Sequence, residues 1–301
     1  RRVLEHHLHA DPPLALRFAI PDHPWVDTAD GAAVRIAMTV GVKGRSKGLL
    51  GLSVGERPAM DGTIDVEISV AFGEILPNLA IGADILSAKQ LFANDGIAIK
   101  GFELGSQGFL ILREQANEWI KDDPSLAAIV RPYMNGSDLV KGICSRYVID
   151  FYGLTLEEAE AYPRALQHLS DRVRPERAIN REERTTRNWW LFRRSGEKLR
   201  EAIDGLDRFI ATTRTAKHRI FQFLPSTLAA ESKIVVIASG DAFLLGVISS
   251  RIHVTWALAA GGWLGVGNDP TYNHVECFNT FPFPDASEAQ QARIRALAER
   301  L

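Results

Sequence analysis

A mixed α/β fold, turning to α+β in its later part, is what this chain predicts, and three observations lead there. Residues 32–40 form a near-continuous apolar run of the kind carried by β-strands that are buried on both faces. From about residue 88 the composition changes to shorter mixed elements separated by turn and cap signals. The chain has 301 residues, 46% of them apolar, which is enough for two domains of ordinary size with a sizeable core.

Taken in order, residues 1–10 read as helix and residues 15–20 as strand, followed by the apolar strand 32–40. A polar, Gly- and Lys-rich turn lies between Gly41 and Gly55, and residues 64–69 alternate like a half-buried strand. This opening has the look of the tail end of an α/β domain whose earlier strands are missing. A glycine-punctuated loop over 101–109 then runs into a short strand at 110–112, and residues 113–121 read as helix, stopped by Asp122, Asp123 and Pro124. A turn over 131–138 leads to a strand at 147–151. Thr155 and Glu158 have capping-box spacing and predict a helix running toward the basic segment beyond. Strands are expected at 218–224 and 234–239, a buried helix at 242–260, a Gly/Asn/Asp/Pro loop at 261–270, and a short helix from Glu288.

Several classes are disfavoured by composition. No stretch approaches ~20 uninterrupted apolar residues, and the longest candidate, 244–262, is broken by Ser249, Ser250, Arg251 and His253, so no membrane partner is expected. The start lacks an apolar signal region, and its first residue is Arg rather than Met, which suggests a fragment of something longer. Cys144 and Cys277 sit far apart and form neither a zinc pattern nor a disulfide framework; two inert buried thiols in a reducing cytoplasm are the expectation.

Charge is the most informative feature. The window from Arg172 to Arg219 holds fourteen Arg/Lys and seven Asp/Glu, a balance of +7; the whole chain carries −2, so the remainder carries about −9 by subtraction. Positive charge gathered in one segment suggests a polyanion partner. Twelve of the fourteen are Arg, whose planar fork suits phosphates and guanine edges. The alternative is a merely solvated basic face.

The chemistry-bearing motifs divide into rejected and retained. Asp11-Pro12-Pro13-Leu14 superficially matches the loop with which amino-methyltransferases grip a flipped base, but Leu14 is aliphatic where an aromatic must stack, and no hydrophobic strand precedes it. No Gly-rich loop of the kind that holds S-adenosylmethionine or a dinucleotide follows any strand. Residues 43–48 are basic and glycine-rich without phosphate-loop spacing, and Asp65-Val66-Glu67-Ile68 has Ile where a nuclease Lys would stand. His253 on an apolar helix reads as a satisfied core histidine. Retained are polar and aromatic groups in loops. Trp189 and Trp190, flanked by Arg184, Arg187, Arg193 and Arg194, either set indole faces among phosphate-binding forks or belong to the core. Residues 212–219 mix hydroxyls with Arg214, Lys217 and Arg219, as phosphate-contacting segments do. Arg251 interrupts a buried helix, and residues 267–274 bring Asn268, Tyr272, Asn273 and His274, groups able to read base edges.

Ordered blocks along the chain carry a family resemblance: residues 18–27 and 32–41, Arg131-Pro132-Tyr133 with Asn135-Gly136 and Asp138-Leu139, and Arg174-Pro175-Glu176-Arg177 with Asn180-Arg181. The series continues with Trp189-Trp190-Leu191-Phe192, Ala242-Phe243 with Leu245-Gly246 and Ser249-Ser250-Arg251, and Tyr272-Asn273 leading to Cys277-Phe278 and Phe281-Pro282-Phe283-Pro284. Together these resemble the C-terminal half of class I S-adenosylmethionine-dependent DNA methyltransferases of the MmeI-like restriction-modification group. The resemblance implies the closing strands of a Rossmann-like methyltransferase domain at about 1–75, a mixed α+β target recognition domain at 76–285 and a C-terminal helix at 286–301. It implies double-stranded DNA as partner, together with an N-terminal methyltransferase domain of the same polypeptide, with or without a nuclease domain before it. S-adenosylmethionine is expected for the adenine-N6-modifying parent, and no cofactor, metal or catalytic residue for this segment. On this reading Arg181, Arg184, Arg187, Trp189, Arg214, Lys217 and Arg219 address the DNA backbone or its bases, and Arg251, Asn268, Tyr272, Asn273 and His274 are candidates for base readout. Two rival classes remain open: a small-molecule transferase using the 43–47 loop, and a protein-interaction module whose basic segment docks an acidic partner.

Overall fold

The computed structural model describes residues 2–25, 34–59, 64–82, 85–179, 182–264 and 269–301, so the candidates Arg181 and Asn268 lie outside the described residues. The chain divides into two compact units at residue 88.

The smaller unit is a helix and one sheet. Helix α1 (Arg2–Leu8) precedes strands β1 (Leu14–Trp25), β2 (Val34–Lys43), β3 (Gly48–Pro58) and β4 (Ile64–Gly73), which lie in the order β2-β1-β3-β4. Two antiparallel pairs, β1/β2 and β3/β4, meet along a parallel seam where Phe18 faces Leu49 and Ala19 faces Leu50. The close approach at this seam requires glycine at position 48, where a Cβ would lie 2.1 Å from the Leu16 carbonyl oxygen. Leu16, Ala19, Leu50 and Ile75 form a small core with Leu4 and Leu8 of α1 packed against it. The register puts Val40, Phe18, Leu49 and Phe72 in one row across all four strands; of these, Val40 is 54%, Leu49 45% and Phe72 66% exposed. The expectation of a doubly buried strand over 32–40 is therefore corrected. The described part of that run belongs to β2, an edge strand with Val34 and Val40 in solvent. The run records a capacity for burial on two faces, and this unit covers only one of them.

Among the described residues the larger unit carries two four-stranded sheets and a two-stranded one that pairs residues 263–264 with 269–270. β5 (Ala98–Lys100), β9 (Arg208–Thr213), β10 (Gln222–Pro225) and β12 (Ile234–Ile237) form an antiparallel sheet of order β10-β9-β12-β5. β6 (Leu110–Leu112), β7 (Val130–Met134), β8 (Arg146–Ile149) and β11 (Ala229–Ala230) form the second, β11-β7-β8-β6, antiparallel except for the β11/β7 pair. One apolar core joins both four-stranded sheets and their helices, with Phe109, Val148, Ile149, Phe209, Ile234 and Val236 sealed within it. The architecture is thus mixed α/β with several small sheets.

The helices follow their end signals closely. α2 (Arg113–Asp122) stops at Asp123, and α3 (Gly136–Lys141) is opened by an Asn135/Asp138 capping box. The Thr155/Glu158 box opens α4 (Leu156–Ala159) as expected, but the helix does not run on; Pro163 restarts the chain as α5 (Pro163–Arg172), a first-turn position proline favours. Three short helices follow, α6 (Arg174–Ala178), α7 (Glu183–Arg187) and α8 (Glu197–Ile203). The single helix expected over 242–260 is two, α9 (Ala242–Ile248) and α10 (Arg251–Ala260), bent by 59°. The Ser250 hydroxyl causes the restart by accepting the His253 amide, an N-cap that a continuous helix would forgo. After α11 (His274–Cys277), α12 (Glu288–Ala298) packs on α9, and Gly246 permits it, since a Cβ there would lie 2.6 Å from Ile294. No single helix among the described residues is long and apolar enough to cross a membrane.

Candidate nucleic-acid interface

Several arginines of the basic segment are engaged by the protein itself, and one of them, Arg177, is buried. Arg177 is 2% exposed and donates to the carbonyls of Leu104 (2.7 Å) and Leu191 (2.6 Å), with longer contacts to Asn188 and Trp189 (both 3.3 Å). Arg193 bridges Glu103 and Glu182, Arg194 reaches Glu103, and Arg208 is held by Glu299. Arg200 reaches Asp150 at 2.8 Å, while Arg131 approaches the same buried carboxylate at 3.2 Å. A guanidinium with five donors can satisfy several carbonyls or carboxylates at once, which is why arginine suits a chain of short helices and loops that leave many carbonyls without regular partners. The charge excess read from the sequence is real, but part of it is taken up in contacts with the protein itself: a buried one at Arg177, a half-buried one at Arg200, and surface ion pairs at Arg193, Arg194 and Arg208.

Trp189 follows the same logic. It is 8% exposed and packs edge-on to Trp190, whose Nε1 donates to the Leu154 carbonyl. Of the two readings of this pair, the structure selects the core, and Trp189 is withdrawn as a stacking platform. Arg184 and Arg187 lie exposed on α7, which packs against α6. Arg187 pairs with Glu183 one helical turn away, whereas Arg184 has no ion pair among the described residues; exposed i,i+4 pairs are worth only about 0.3–0.5 kcal/mol and yield readily to a phosphate.

A second cluster forms where β9 ends. Arg214 donates its backbone amide to Lys233 and accepts the Tyr272 amide, while Thr215 bridges to Thr271. Two candidates in this cluster are corrected. Tyr272 is 1% exposed, its hydroxyl meeting His253 Nε2 at 2.9 Å, and burial raises its pKa well above the ordinary tyrosine value. It cannot reach a base. Arg219 donates to the Thr213 and Pro270 carbonyls and lies 5.1 Å from the Tyr272 ring centre, so it rivets the loop to β9 instead of facing solvent.

Asn273 is half-buried and caps α11, its Oδ1 accepting the Val275 amide at 3.2 Å. His274 is half-buried at the first position of that helix; burial, and after it the neighbouring Arg214 charge, lower its pKa, so the ring is neutral and offers one donor and one acceptor. Arg251 is exposed at the start of α10. Since His253 turns inward to Tyr272, a residue two positions earlier stands about 200° round the helix and points away from that core.

Arg214, Lys217 and His274 are thus brought together, while Arg184 with Arg187, and Arg251, sit on separate elements. Beside Arg214 opens a cleft of about 580 Å³, whose lining includes Lys141, Lys217, Lys233, Ser137 and Asn135. Neither Lys141 nor Lys233 stood out in the sequence, because each is an isolated lysine far from the basic window. Cys277 is buried with its thiol pushed up to about 11, and Cys144 is half-buried; both are free.

The larger unit thus presents exposed cations, among them Arg184, Arg214, Lys217 and Arg251, on a scaffold of small sheets and short helices. The chain belongs to the MmeI target recognition domain family, whose model matches residues 87–285, about two thirds of its length. Among characterised proteins it is 22% identical over 289 residues to DNA methyltransferase A of Bacillus subtilis (strain 168), a match covering 93% of this chain and 31% of that protein. In three dimensions it resembles the Type IIL restriction-modification enzyme MmeI, solved in complex with DNA, with a TM-score of 0.72 and 19% identity over 95% of this chain and 37% of that one. The chain therefore spans about a third of the length of either relative.

Proposed function

We propose that the larger unit binds duplex DNA and selects a short sequence on behalf of a larger S-adenosylmethionine-dependent, adenine-N6 methyltransferase of the restriction-modification type. The observation that carries this reading is the juxtaposition of Arg214, Lys217 and neutral His274 at the end of β9. The two cations supply sequence-independent phosphate attraction, and the imidazole supplies a donor and an acceptor for a base edge. Arg184 and Arg187 add backbone contacts, and Arg251 is retained as a base reader. The relatives' names support DNA as the partner, the one being a DNA methyltransferase and the other a DNA complex.

The smaller unit is read as the closing strands of the parent's Rossmann-like methyltransferase sheet. Its apolar row, Val40, Phe18, Leu49 and Phe72, supports this, because a sheet with one uncovered apolar face fits as part of a larger layered domain. Methyl transfer, and any DNA cleavage, then belong to other parts of the polypeptide.

The test is selection of bound sequences from a randomised duplex library over a salt series. Enrichment of one short motif is expected. Salt-sensitive binding without enrichment would transfer readout to the rest of the parent. Absence of binding at low salt would sink the proposal.

A further inference from the structure

We infer that the cleft beside Arg214 is a clamp for the DNA phosphate backbone, with Lys141 and Lys233 joining Lys217 as its contacts. The inference rests on the DNA-binding reading above. The three lysines are exposed and have no ion pair among the described residues, in contrast to Arg193, Arg200 and Arg208, each of which is held by a carboxylate. The cleft's carboxylate, Glu231, is occupied on both oxygens: the Ser232 hydroxyl donates to one at 2.5 Å and the Lys233 backbone amide to the other at 2.9 Å. Three lysines against one glutamate leave the lining at +2 by subtraction.

Lysine is a point charge on a flexible stem, without the planar fork that discriminates base edges. A trio of lysines therefore suits phosphate oxygens, which position a duplex without reading it. The Ser137 hydroxyl lines the same wall and is a further donor.

The walls are rigid. Lys141 ends α3, whose first turn is locked by the Asn135/Asp138 capping box and by Arg146, which donates to Asp138. Gln222 of β10 donates to the Leu139 carbonyl from the other side. Lys233 sits immediately before β12, tied to the end of β9 by the Arg214 amide at 2.8 Å. That bond sets Arg214 next to the cleft wall, and the Arg214 carbonyl in turn accepts the amide of Tyr272, two residues before His274.

The experiment measures binding of the 301-residue chain to a labelled random-sequence duplex by fluorescence anisotropy over a range of salt. The chain is compared with its Lys141→Gln/Lys233→Gln variant. Loss of two phosphate contacts reduces the slope of log affinity against log salt by about 1.8, so the affinity lost on a fourfold rise in salt shrinks by about 12-fold. The loss of affinity is the same on every sequence. Lys141→Arg/Lys233→Arg restores the slope, and Lys121→Gln, an exposed lysine on α2 outside the cleft, leaves it unchanged. An unchanged slope in the double Gln variant, with the wild-type chain still binding, overturns the clamp and leaves the DNA reading standing. A loss confined to one sequence also overturns it, since the lysines would then be reading bases. No duplex affinity in the wild-type chain overturns both.

Discussion

Replacing Arg177 by methionine separates a fastening arginine from a DNA-binding one. The side chain lies within the basic window, yet is 2% exposed and donates at 2.6 and 2.7 Å to the carbonyls of Leu191 and Leu104, residues 14 and 73 positions away. Burial lowers its pKa below the ordinary arginine value while Glu176 and Glu182 oppose the shift, and the group stays charged at any pH the protein meets. Each charge-assisted bond contributes about 1.5–3 kcal/mol, so the two short ones contribute about 3–6. Removing the charge returns some desolvation energy, whereas the stranded carbonyls keep their penalty, and breaking such a buried arrangement typically costs about 3–5 kcal/mol. For a unit of this size that is a fall in Tm of roughly 6–20 °C. Thermal unfolding followed by tryptophan fluorescence reports it, because five of the six tryptophans lie in the larger unit. A Tm within about 3 °C of wild type, combined with a shallower salt dependence of DNA binding, would refute the assignment and return Arg177 to the interface.

Four further outcomes follow from the same contacts. His253 is wholly buried with its pKa lowered to about 3, first by burial and then by Arg219. The unfolded chain therefore binds a proton near pH 6.5 that the native state refuses, and stability falls by about 1.4 kcal/mol per unit as pH drops below 6.5. His253→Gln removes that slope, and a denaturation series from pH 7 to 4.5 with identical slopes in both proteins contradicts it. Asp150→Asn leaves Arg131 and Arg200 facing a neutral amide in a buried site and costs about 3–5 kcal/mol in urea denaturation; a loss under about 1 kcal/mol would mean that the pair is solvated. Gly196→Ala costs about 1–3 kcal/mol, because φ there is +67° and the new Cβ would lie 2.6 Å from the Phe102 ring; a neutral effect on Tm would show that the turn relaxes freely. His274→Ala relaxes selection at one position of the site by about 1–3 kcal/mol while Arg214→Gln weakens all sequences alike, and selected-library sequencing showing the reverse would exchange their roles.

Local signals were legible in the sequence, and partners across the chain were not. The Thr155/Glu158 box, the stop at Asp123 and the core placement of His253 follow from side chains acting on their own helix or from apolar periodicity, and they hold in the structure. The failures share one cause. Tyr272 looked like a loop residue with a free hydroxyl until the fold brought His253, 19 residues away, against it. Arg219 sits among hydroxyls and bases that suit a phosphate, yet its carbonyl partner at Pro270 is 51 residues distant. Strand β2 has the apolar run of a buried strand, but burial depends on what lies over the face, which strand composition does not encode. Lys141 and Lys233 were invisible because a cleft is assembled from residues that mean nothing singly.

The division between arginine and lysine in this unit has a physical basis that bears on how such domains change specificity. Arginine, with five donors in a plane, satisfies carbonyls that short helices and loops leave over, and here it ties α6, α7 and the 188–194 turn to the 103–104 segment. The centre of that framework, Arg177, is buried and intolerant of substitution, since removing it strands the carbonyls it serves, while the Arg193 pair lies at the surface. The exposed lysines carry no such internal bonds, and backbone phosphates are the same for every sequence. On the proposed reading, sequence preference is left to side chains that are neither fastened nor on the phosphates, His274 and Arg251 among them. On the same reading, exchanges at those two positions alter readout while leaving both the framework and the electrostatic attraction intact, exchanges at the exposed Arg184, Arg187, Arg214 and Lys217 weaken all sequences alike, and exchange of the buried Arg177 destabilises the unit before it changes what the unit reads.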